Sequence, residues 1–205
     1  MTQWEELADV KATLAKKGWF PATSGNLSIK LEDSPLHALV SVSGKDKTKS
    51  SPEDFVVVDR DGKTIESSLK PSAETIIHTR LYEVTDAGCI LHVHTVENNL
   101  ISALYKDEGQ ATFTDHELLK AFGLWEENAA LTMPIVDNLH DLPALAEEMV
   151  RVVTPETKAI LILNHGITVW GKNAFDAQKN LEAAEFLFAY RLAQFKYNLL
   201  KREDV

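Results

Sequence analysis

Apolar residues recur along the chain with the two spacings that regular secondary structure requires. Recurrence every three or four positions predicts helices, and short β-branched or alternating apolar runs predict strands. The predicted helices cover residues 2–16, 72–85, 97–105, 115–122, 142–153 and 173–199. The predicted strands cover residues 27–31, 40–43, 55–58, 90–96, 131–136, 159–163 and 167–170.

Residue types that favour helix ends indicate where several of the predicted helices begin. Thr2 and Glu5 have the spacing of a capping box, in which the two residues satisfy each other's free backbone amides. Ser72 and Asn173 are helix-capping residue types, and Pro143 suits a first turn because it lacks an amide hydrogen. We therefore expect Ser72 and Asn173 to cap their helices.

Helices and strands interleave from one end of the chain to the other, without a linker, a repeat or a low-complexity stretch. This order predicts a single α/β domain over residues 1–205, with strands in the middle and helices around them. A chain of 205 residues, 44% of them hydrophobic, is long enough to bury a sizeable core.

The net charge limits the classes of molecule that the protein is expected to bind. A net charge of −10 argues against nucleic acid or an anionic membrane as the main partner, because phosphate backbones select basic surfaces. A small phosphorylated substrate stays possible, since it experiences only its local site. The only cysteine, Cys89, excludes an intrachain disulfide, and no segment has a secretory or membrane-spanning profile. We expect a cytoplasmic protein in which Cys89 is a buried core thiol.

Two histidines stand one residue apart in the apolar run Ile90–Val96. Side chains alternate on a strand, so His92 and His94 would share a face, about 7 Å apart at the backbone. That separation lets both imidazoles bind one metal ion at about 2.0–2.1 Å. Surface strands also carry such pairs by chance, so the pair alone leaves both interpretations open.

His165 supplies a third candidate ligand, because it follows the apolar run 159–163 where a strand would give way to a loop. Three histidines and one open position describe a catalytic zinc site rather than a structural one. Imidazoles also accept iron or manganese, so the residue types alone do not select the metal.

Small hydroxyl residues and glycines flank two predicted strands, and a serine stands near a predicted helix start. Glycine lets backbone amides approach an anion, and a helix N-terminus favours negative charge. Each segment taken singly also fits an ordinary turn or cap. No segment fits an ATP or dinucleotide loop, so neither cofactor is expected. The candidate phosphate-binding residues are Ser24, Gly25, Asn26, Ser43, Gly44 and Ser72.

Five motifs occur in an order that resembles the class II aldolase/adducin superfamily over about residues 5–195. They are Ser24–Ser28, Ser43-Gly44, Pro71–Glu74, His92–His94 and Asn164–Gly166. Three longer strings resemble the methylthioribulose-1-phosphate dehydratase family within that superfamily. These strings are Trp19–Ser28, Ser43–Lys47 and His165–Gly171.

The resemblance implies a layered class II aldolase-like fold, with a central, mostly antiparallel sheet flanked by helices. It implies a homotetramer with active sites at subunit interfaces, one Zn²⁺ per subunit on His92, His94 and His165, and a phosphate at the six residues named above. One departure is that aldolases carry a serine where this chain has Ala73. The missing hydroxyl weakens the case for aldolase activity.

Two glutamates are candidates for the acid/base. The resemblance matches Glu74 to the aldolase base and Glu117 to the acid/base of the dehydratases. Judged by the residues alone, Glu117 reads as a solvated helix residue and Glu74 as a glutamate that complements a helix dipole. With the resemblance, we expect Glu117 to be the principal acid/base and keep Glu74 as the alternative.

The expected reaction is zinc-dependent dehydration of 5-methylthioribulose 1-phosphate to 5-methylthio-2,3-dioxopentyl phosphate and water, in L-methionine salvage. A sugar-phosphate aldolase or epimerase is the alternative. A non-enzymatic, adducin-like scaffold is disfavoured because such domains lack the three histidines. Apolarity alone suggests Trp19, Phe20 and Phe113 for the methylthio end of the substrate.

Overall fold

An eight-stranded sheet forms the centre of the molecule, and helices cover both of its faces. The computed structural model describes residues 1–203. The strands are β1 (Asn26–Asp33), β2 (Leu36–Ser41), β3 (Phe55–Val58), β4 (Cys89–Val93), β5 (Gln110–Thr114), β6 (Ala130–Val136), β7 (Ala159–Ile162) and β8 (Gly166–Gly171). The helices are α1 (Gln3–Lys16), α2 (Thr75–Val84), α3 (Val96–Leu104), α4 (Leu142–Arg151) and α5 (Ala174–Glu203), with short 3₁₀ helices at Pro21–Thr23 and Glu117–Phe122.

The sheet is mostly antiparallel, as predicted. Its strand order is β3-β2-β1-β4-β8-β7-β6-β5, and only the β6–β7 pair is parallel. Strand β4 lies near the middle, between β1 and β8, so both of its edges are paired. No helix in the described part of the chain has the length and apolar content needed to cross a membrane.

Two apolar clusters sandwich the sheet. Helices α1 and α5 pack on one face, where Leu91 and Val93 of β4 point, and helices α2 and α4 pack on the other, where Ile90 points. Alternation along β4 therefore directs His92 to the α2 side, as the spacing predicts. Cys89 is fully buried, and burial raises the pKa of its thiol.

Most predicted helix caps are confirmed. Thr2 forms the capping box with Glu5, and the Asn173 side chain accepts a hydrogen bond from the Asp176 amide at 2.9 Å. The prediction for Ser72 was wrong. Helix α2 begins at Thr75, and it is the carbonyl of Ser72, not its hydroxyl, that accepts from Thr75. The hydroxyl of Ser72 is therefore left for another role.

Other element bounds also differ from prediction. The strand predicted over 90–96 ends at Val93, and the strand predicted over 40–43 runs from Leu36 to Ser41. The helix predicted over 115–122 is a 3₁₀ helix over Glu117–Phe122, with Gly123 as its C-cap. The edge strand β5 was not predicted, because its short stretch carries only two buried apolar residues, Ala111 and Phe113. Pairing with β6, a tertiary contact, fixes that strand.

Candidate functional site

The structure brings the three predicted histidines together at one end of the central strands. His92 lies within β4, His94 follows the end of that strand, and His165 lies in the turn between β7 and β8. One ligand nitrogen from each ring lies within 4.8 Å of the others, and the Nε2 atoms of His92 and His94 are 2.8 Å apart. The ring planes are 80–84° apart, so each imidazole approaches from its own direction.

Hydrogen bonds on the outer nitrogens orient two of these rings. His92 Nδ1 lies 3.1 Å from Thr168 Oγ1, and His165 Nδ1 lies 3.1 Å from Asn138 Oδ1. Such outer partners fix the ring orientation of metal-binding histidines and leave the other nitrogen for the ion. Sequence reasoning missed Thr168 and Asn138, because only the fold brings them to the histidines.

The environment of His92 and His94 disfavours the charged form of both imidazoles. Burial lowers the pKa of His92 to about 4, against the opposing effect of Glu74. Burial, together with the charges of His92 and His165, lowers the pKa of His94 to about 3. A neutral imidazole presents the lone pair that a metal ion requires.

Two glycines let neighbouring backbone approach the histidine strand. A Cβ at Gly166 would lie 2.5 Å from the Val93 carbonyl oxygen and 2.7 Å from the His94 ring. A Cβ at Gly25 would lie 2.7 Å from the His92 carbonyl oxygen, and the φ of +75° there also favours glycine. The signature Asn164-His165-Gly166 thus has a packing reason for its glycine.

Glu74 lies directly beside the histidine cluster. Its carboxylate oxygens are 3.2 Å from His165 Nε2 and 3.6 Å from His92 Nε2, and Asn26 Nδ2 donates to it at 2.5 Å. Burial would raise the pKa of Glu74, but the neighbouring histidines and the hydrogen bonds from His165 and Asn26 hold it well below its usual range. Three imidazoles beside a carboxylate fit a catalytic metal site that keeps an open position.

All six predicted phosphate-binding residues line one cavity of about 370 Å³, together with Glu74 and His94. Two of these residues have a polar side-chain atom that makes no hydrogen bond. Within the described chain, Ser24 Oγ and Asn26 Oδ1 are buried and have no hydrogen-bond partner. Buried polar atoms are nearly always paired, so these two indicate a site for a polar ligand.

Lys47 also lines this cavity, and sequence reasoning did not select it as a site residue. Its side chain is buried, and Nζ donates to the Thr23 carbonyl at 2.8 Å. Burial, aided by the nearby charge of Lys11, lowers the pKa of Lys47. Lys47 is the only lysine or arginine among the cavity-lining residues of the described chain. A signal was available, since Lys47 ends one of the strings that resemble the dehydratases.

Strained backbone marks several of the same segments. Ala22 and Thr23 precede the first phosphate segment with φ of 52° and 65°, and Asn164 precedes His165 with φ of 51°. Asp115, two residues before Glu117, has φ of 56°. Non-glycine residues rarely adopt positive φ, and such strain concentrates at functional sites.

Glu117 lies apart from the histidines of its own chain. Its side chain is 76% exposed, pairs with Lys120 at 2.8 Å, and lines a separate cleft with Trp125. The cavity containing Glu74 and His94 does not include it. Exposed aromatic side chains surround this segment: His116 stacks 5.6 Å from Phe186 and 5.1 Å from Tyr190.

A second cleft, of about 620 Å³, meets the histidine cluster from another side. His94 belongs to its wall, and the apolar residues of that wall are Trp19, Pro21, Val96 and Leu100. Phe20 and Phe113, suggested by apolarity, are instead buried in the core. A larger cleft, of about 680 Å³, between Trp19 and α5 contains none of the three histidines.

Sequence and structure comparisons with known proteins identify a family that is consistent with this site. The family model for the class II aldolase and adducin N-terminal domain matches residues 5–192. The chain is 57% identical to methylthioribulose-1-phosphate dehydratase of Geobacillus kaustophilus, over 98% of this chain and 94% of that one. It is 57% identical to the Bacillus subtilis enzyme of the same name, over 93% and 92%. L-Fuculose-1-phosphate aldolase from Thermus thermophilus has the same fold, with a TM-score of 0.77 at 20% identity over 96% of both chains. The chain therefore belongs to the class II aldolase and adducin family.

Proposed function

We propose that the protein is a zinc-dependent hydro-lyase that converts 5-methylthioribulose 1-phosphate to 5-methylthio-2,3-dioxopentyl phosphate and water, in L-methionine salvage. The observation that carries the proposal is the convergence of His92, His94 and His165 next to the anion cavity, whose wall includes His94. Relatives 53–57% identical and named for this dehydration support it over other family reactions.

His92, His94 and His165 would hold one Zn²⁺ per subunit. Bound there, the ion would supply Lewis-acid polarisation of the substrate's C2 carbonyl, which makes the C3 proton easier to remove. His92 and His94 would contribute neutral donors, and the bonds to Thr168 and Asn138 fix the rings of His92 and His165.

The six phosphate-binding residues would orient the substrate by its phosphate, with Lys47 supplying the positive charge. Ser24 Oγ has no hydrogen-bond partner, and Gly25 and Gly44 line the same cavity, where glycine lets backbone amides approach an anion. The cleft of Trp19, Val96 and Leu100 would receive the methylthio end, because it meets the histidines on another side. Fixing both ends of a substrate in this way lowers the entropic barrier to reaction.

Glu117 would act as the principal acid/base, reaching the histidine cluster of a neighbouring subunit. In the reaction, the C3 proton is removed, the C4 hydroxyl is protonated and leaves as water, and the resulting enol rearranges to the 2,3-diketone. The exposure of Glu117 and its distance from the cavity of its own chain support action across an interface. Glu74 is the alternative acid/base within one chain.

The proposal includes a homotetramer with active sites between subunits. The exposed aromatic residues Trp125, Phe186 and Tyr190 around Glu117 support an interface there, because large exposed apolar patches mark association sites. A cytoplasmic location is supported by Cys89, a buried thiol with no disulfide partner.

The direct test is an assay of the purified protein, incubated with Zn²⁺ and analysed for bound metal, on 5-methylthioribulose 1-phosphate. We expect the diketone phosphate and no aldehyde. Release of dihydroxyacetone phosphate and a thioether aldehyde would identify an aldolase, and an isomeric ketose phosphate would identify an epimerase. No turnover together with no bound metal would identify a scaffold.

The aldolase is the second candidate because one specific observation favours it. Glu74, which matches the aldolase base, already lies 3.2 Å from His165. Against it, Ala73 replaces the serine expected in an aldolase phosphate site and lines the same cavity without a hydroxyl.

A further inference from the structure

The first turn of α3 connects the two chain segments that carry His94 and His165. Asn99 Nδ2 donates to the Thr95 carbonyl and to the His165 carbonyl, each at 2.9 Å. One amide group therefore ties the residue after His94 to the backbone of His165. Any shift of α3 would move both histidine segments at once.

A second contact of α3 fixes the turn that carries His165. Ser102 Oγ accepts a hydrogen bond from the Asn164 amide at 3.0 Å and donates to the Asn99 carbonyl at 2.7 Å. Asn164 is the residue with φ of 51°, so Ser102 helps to hold the strained position of the turn.

Glu185 of α5 holds this turn of α3 in place. Thr95 Oγ1 donates to Glu185 Oε2 at 2.8 Å, and Asn98 Nδ2 donates to Glu185 Oε1 at 2.9 Å. Thr95 and Asn98 are the two members of the α3 capping box, and Asn98 also donates to the Val93 carbonyl at the end of β4. The carboxylate thus anchors the segment on both sides of His94.

The position of Glu185 is costly for stability alone. The residue is only 6% exposed, and neither of its partners is a cation. Burial raises the pKa of Glu185 to about 7, and Glu97 adds to the shift, while the bonds from Thr95 and Asn98 oppose it. An apolar residue would fill a helix–helix contact at lower cost, so a carboxylate here needs another reason.

We propose that Glu185 is a positioning residue for the histidine cluster, acting through Thr95, Asn98 and Asn99 of α3. It sets the relative placement of the His94 and His165 segments, and with it the affinity for the metal ion. The inference rests on the proposed zinc centre and extends it to a residue that does not touch the metal or the substrate.

The test compares zinc affinity among purified variants by competition with a chromophoric chelator. Glu185→Ala leaves Thr95 and Asn98 without their acceptor, so we expect it to weaken zinc binding by roughly 10–100-fold, the usual effect of losing an outer partner. Glu185→Gln has the same shape and can still accept from Asn98, so it should restore most of the affinity.

Glu182→Ala is the matched control on the same helix. Glu182 is partly exposed and makes only a 3.8 Å contact with Lys17 and a bond with Gln178, so its loss should leave zinc affinity unchanged. Asn99→Ala removes the bond to His165 by a different route and should also weaken zinc binding. Because both residues belong to one network, the double variant should lose less than the two single losses combined.

A reduced melting temperature of metal-free Glu185→Ala with zinc affinity within twofold of the parent would overturn the inference, because Glu185 would then be merely structural. If Glu185→Ala does not fold, Asn99→Ala decides, and unchanged affinity there has the same meaning. A parent protein that binds no zinc refutes the proposed function instead, so the two failures are distinguishable.

Discussion

The region around the histidines and the region around Glu117 are built in opposite ways. In the histidine region, His92 and Glu74 are largely buried and hydrogen-bonded, and the backbone is held by two glycines. In the Glu117 region, the carboxylate is 76% exposed, and its one ion-pair partner within residues 1–203 is Lys120, three residues further along the same 3₁₀ helix. The first region is enclosed by its own chain, and the second faces solvent.

This difference separates two requirements of the proposed reaction. A metal centre needs fixed geometry, which a buried network provides. An acid/base that serves a neighbouring subunit must be exposed in its own chain, because assembly alone brings it to the substrate. The contrast would fail if Glu74 performed the proton transfer, since the catalytic set would then lie within one chain.

Replacing each of the two glutamates by glutamine in turn is the strongest test of which one is the acid/base. Glu117→Gln should lower kcat by about 10²–10⁴-fold, the usual contribution of a general acid/base, while zinc remains bound. Steady-state kinetics and zinc content measure the two effects, and Glu74→Gln is the comparison. Activity that survives in Glu117→Gln and vanishes in Glu74→Gln would reverse the assignment.

Mixed assembly tests whether the two regions act on different chains. Glu117→Gln and His94→Ala subunits are each expected to be inactive. After unfolding and refolding together, about one site in four of a cyclic tetramer combines intact histidines with an intact Glu117 from the neighbour. Recovery of about that fraction of activity is expected. Persistent inactivity, with hetero-oligomers demonstrated by mass spectrometry, would contradict action across an interface.

Stability as a function of pH distinguishes a buried carboxyl from an exposed one. Burial raises the pKa of Glu185 to about 7, so the folded state binds more protons than the unfolded state between about pH 4.5 and 7. Its contribution is fully present below that window and is lost as pH rises, by up to about 3 kcal/mol. In urea unfolding of metal-free protein, Glu185→Gln should remove this slope. Glu117→Gln should leave it unchanged, and equal slopes for both variants and the parent would refute the distinction.

Removal of the positive charge of Lys47 should have the smallest effect on catalysis. Lys47→Met should raise KM by about 10–100-fold, which corresponds to the roughly 1.5–3 kcal/mol of a hydrogen bond to a charged group. Lys45→Met is the control, because Lys45 pairs with Glu53 outside the cavity. Equal KM values for the two variants would show that Lys47 does not contact the phosphate.

The sequence was sufficient to predict those elements and site residues whose positions follow from local hydrophobic periodicity. The alternating pattern predicted that His92 and His94 share one face of a strand, and the end of an apolar run predicted His165 in a turn. In the structure β4 ends at Val93, so His92 lies on the strand and His94 directly follows it. The residues it missed act through contacts distant in sequence, such as Asn138 on His165 and Glu185 on Thr95. No local pattern encodes these pairs. The position of Glu117 relative to a substrate depends on assembly and remains a prediction.

The placement of His94 in the walls of two separate cavities suggests a design for inhibitors. A phosphate head would occupy the side lined by Ser24 and Lys47, and a short alkyl thioether would occupy the side lined by Trp19 and Leu100. A hydroxamate linker between them would chelate an ion at the shared wall. Joining the three fragments makes each contact intramolecular, so selectivity over enzymes that share only the metal centre would come from the thioether end.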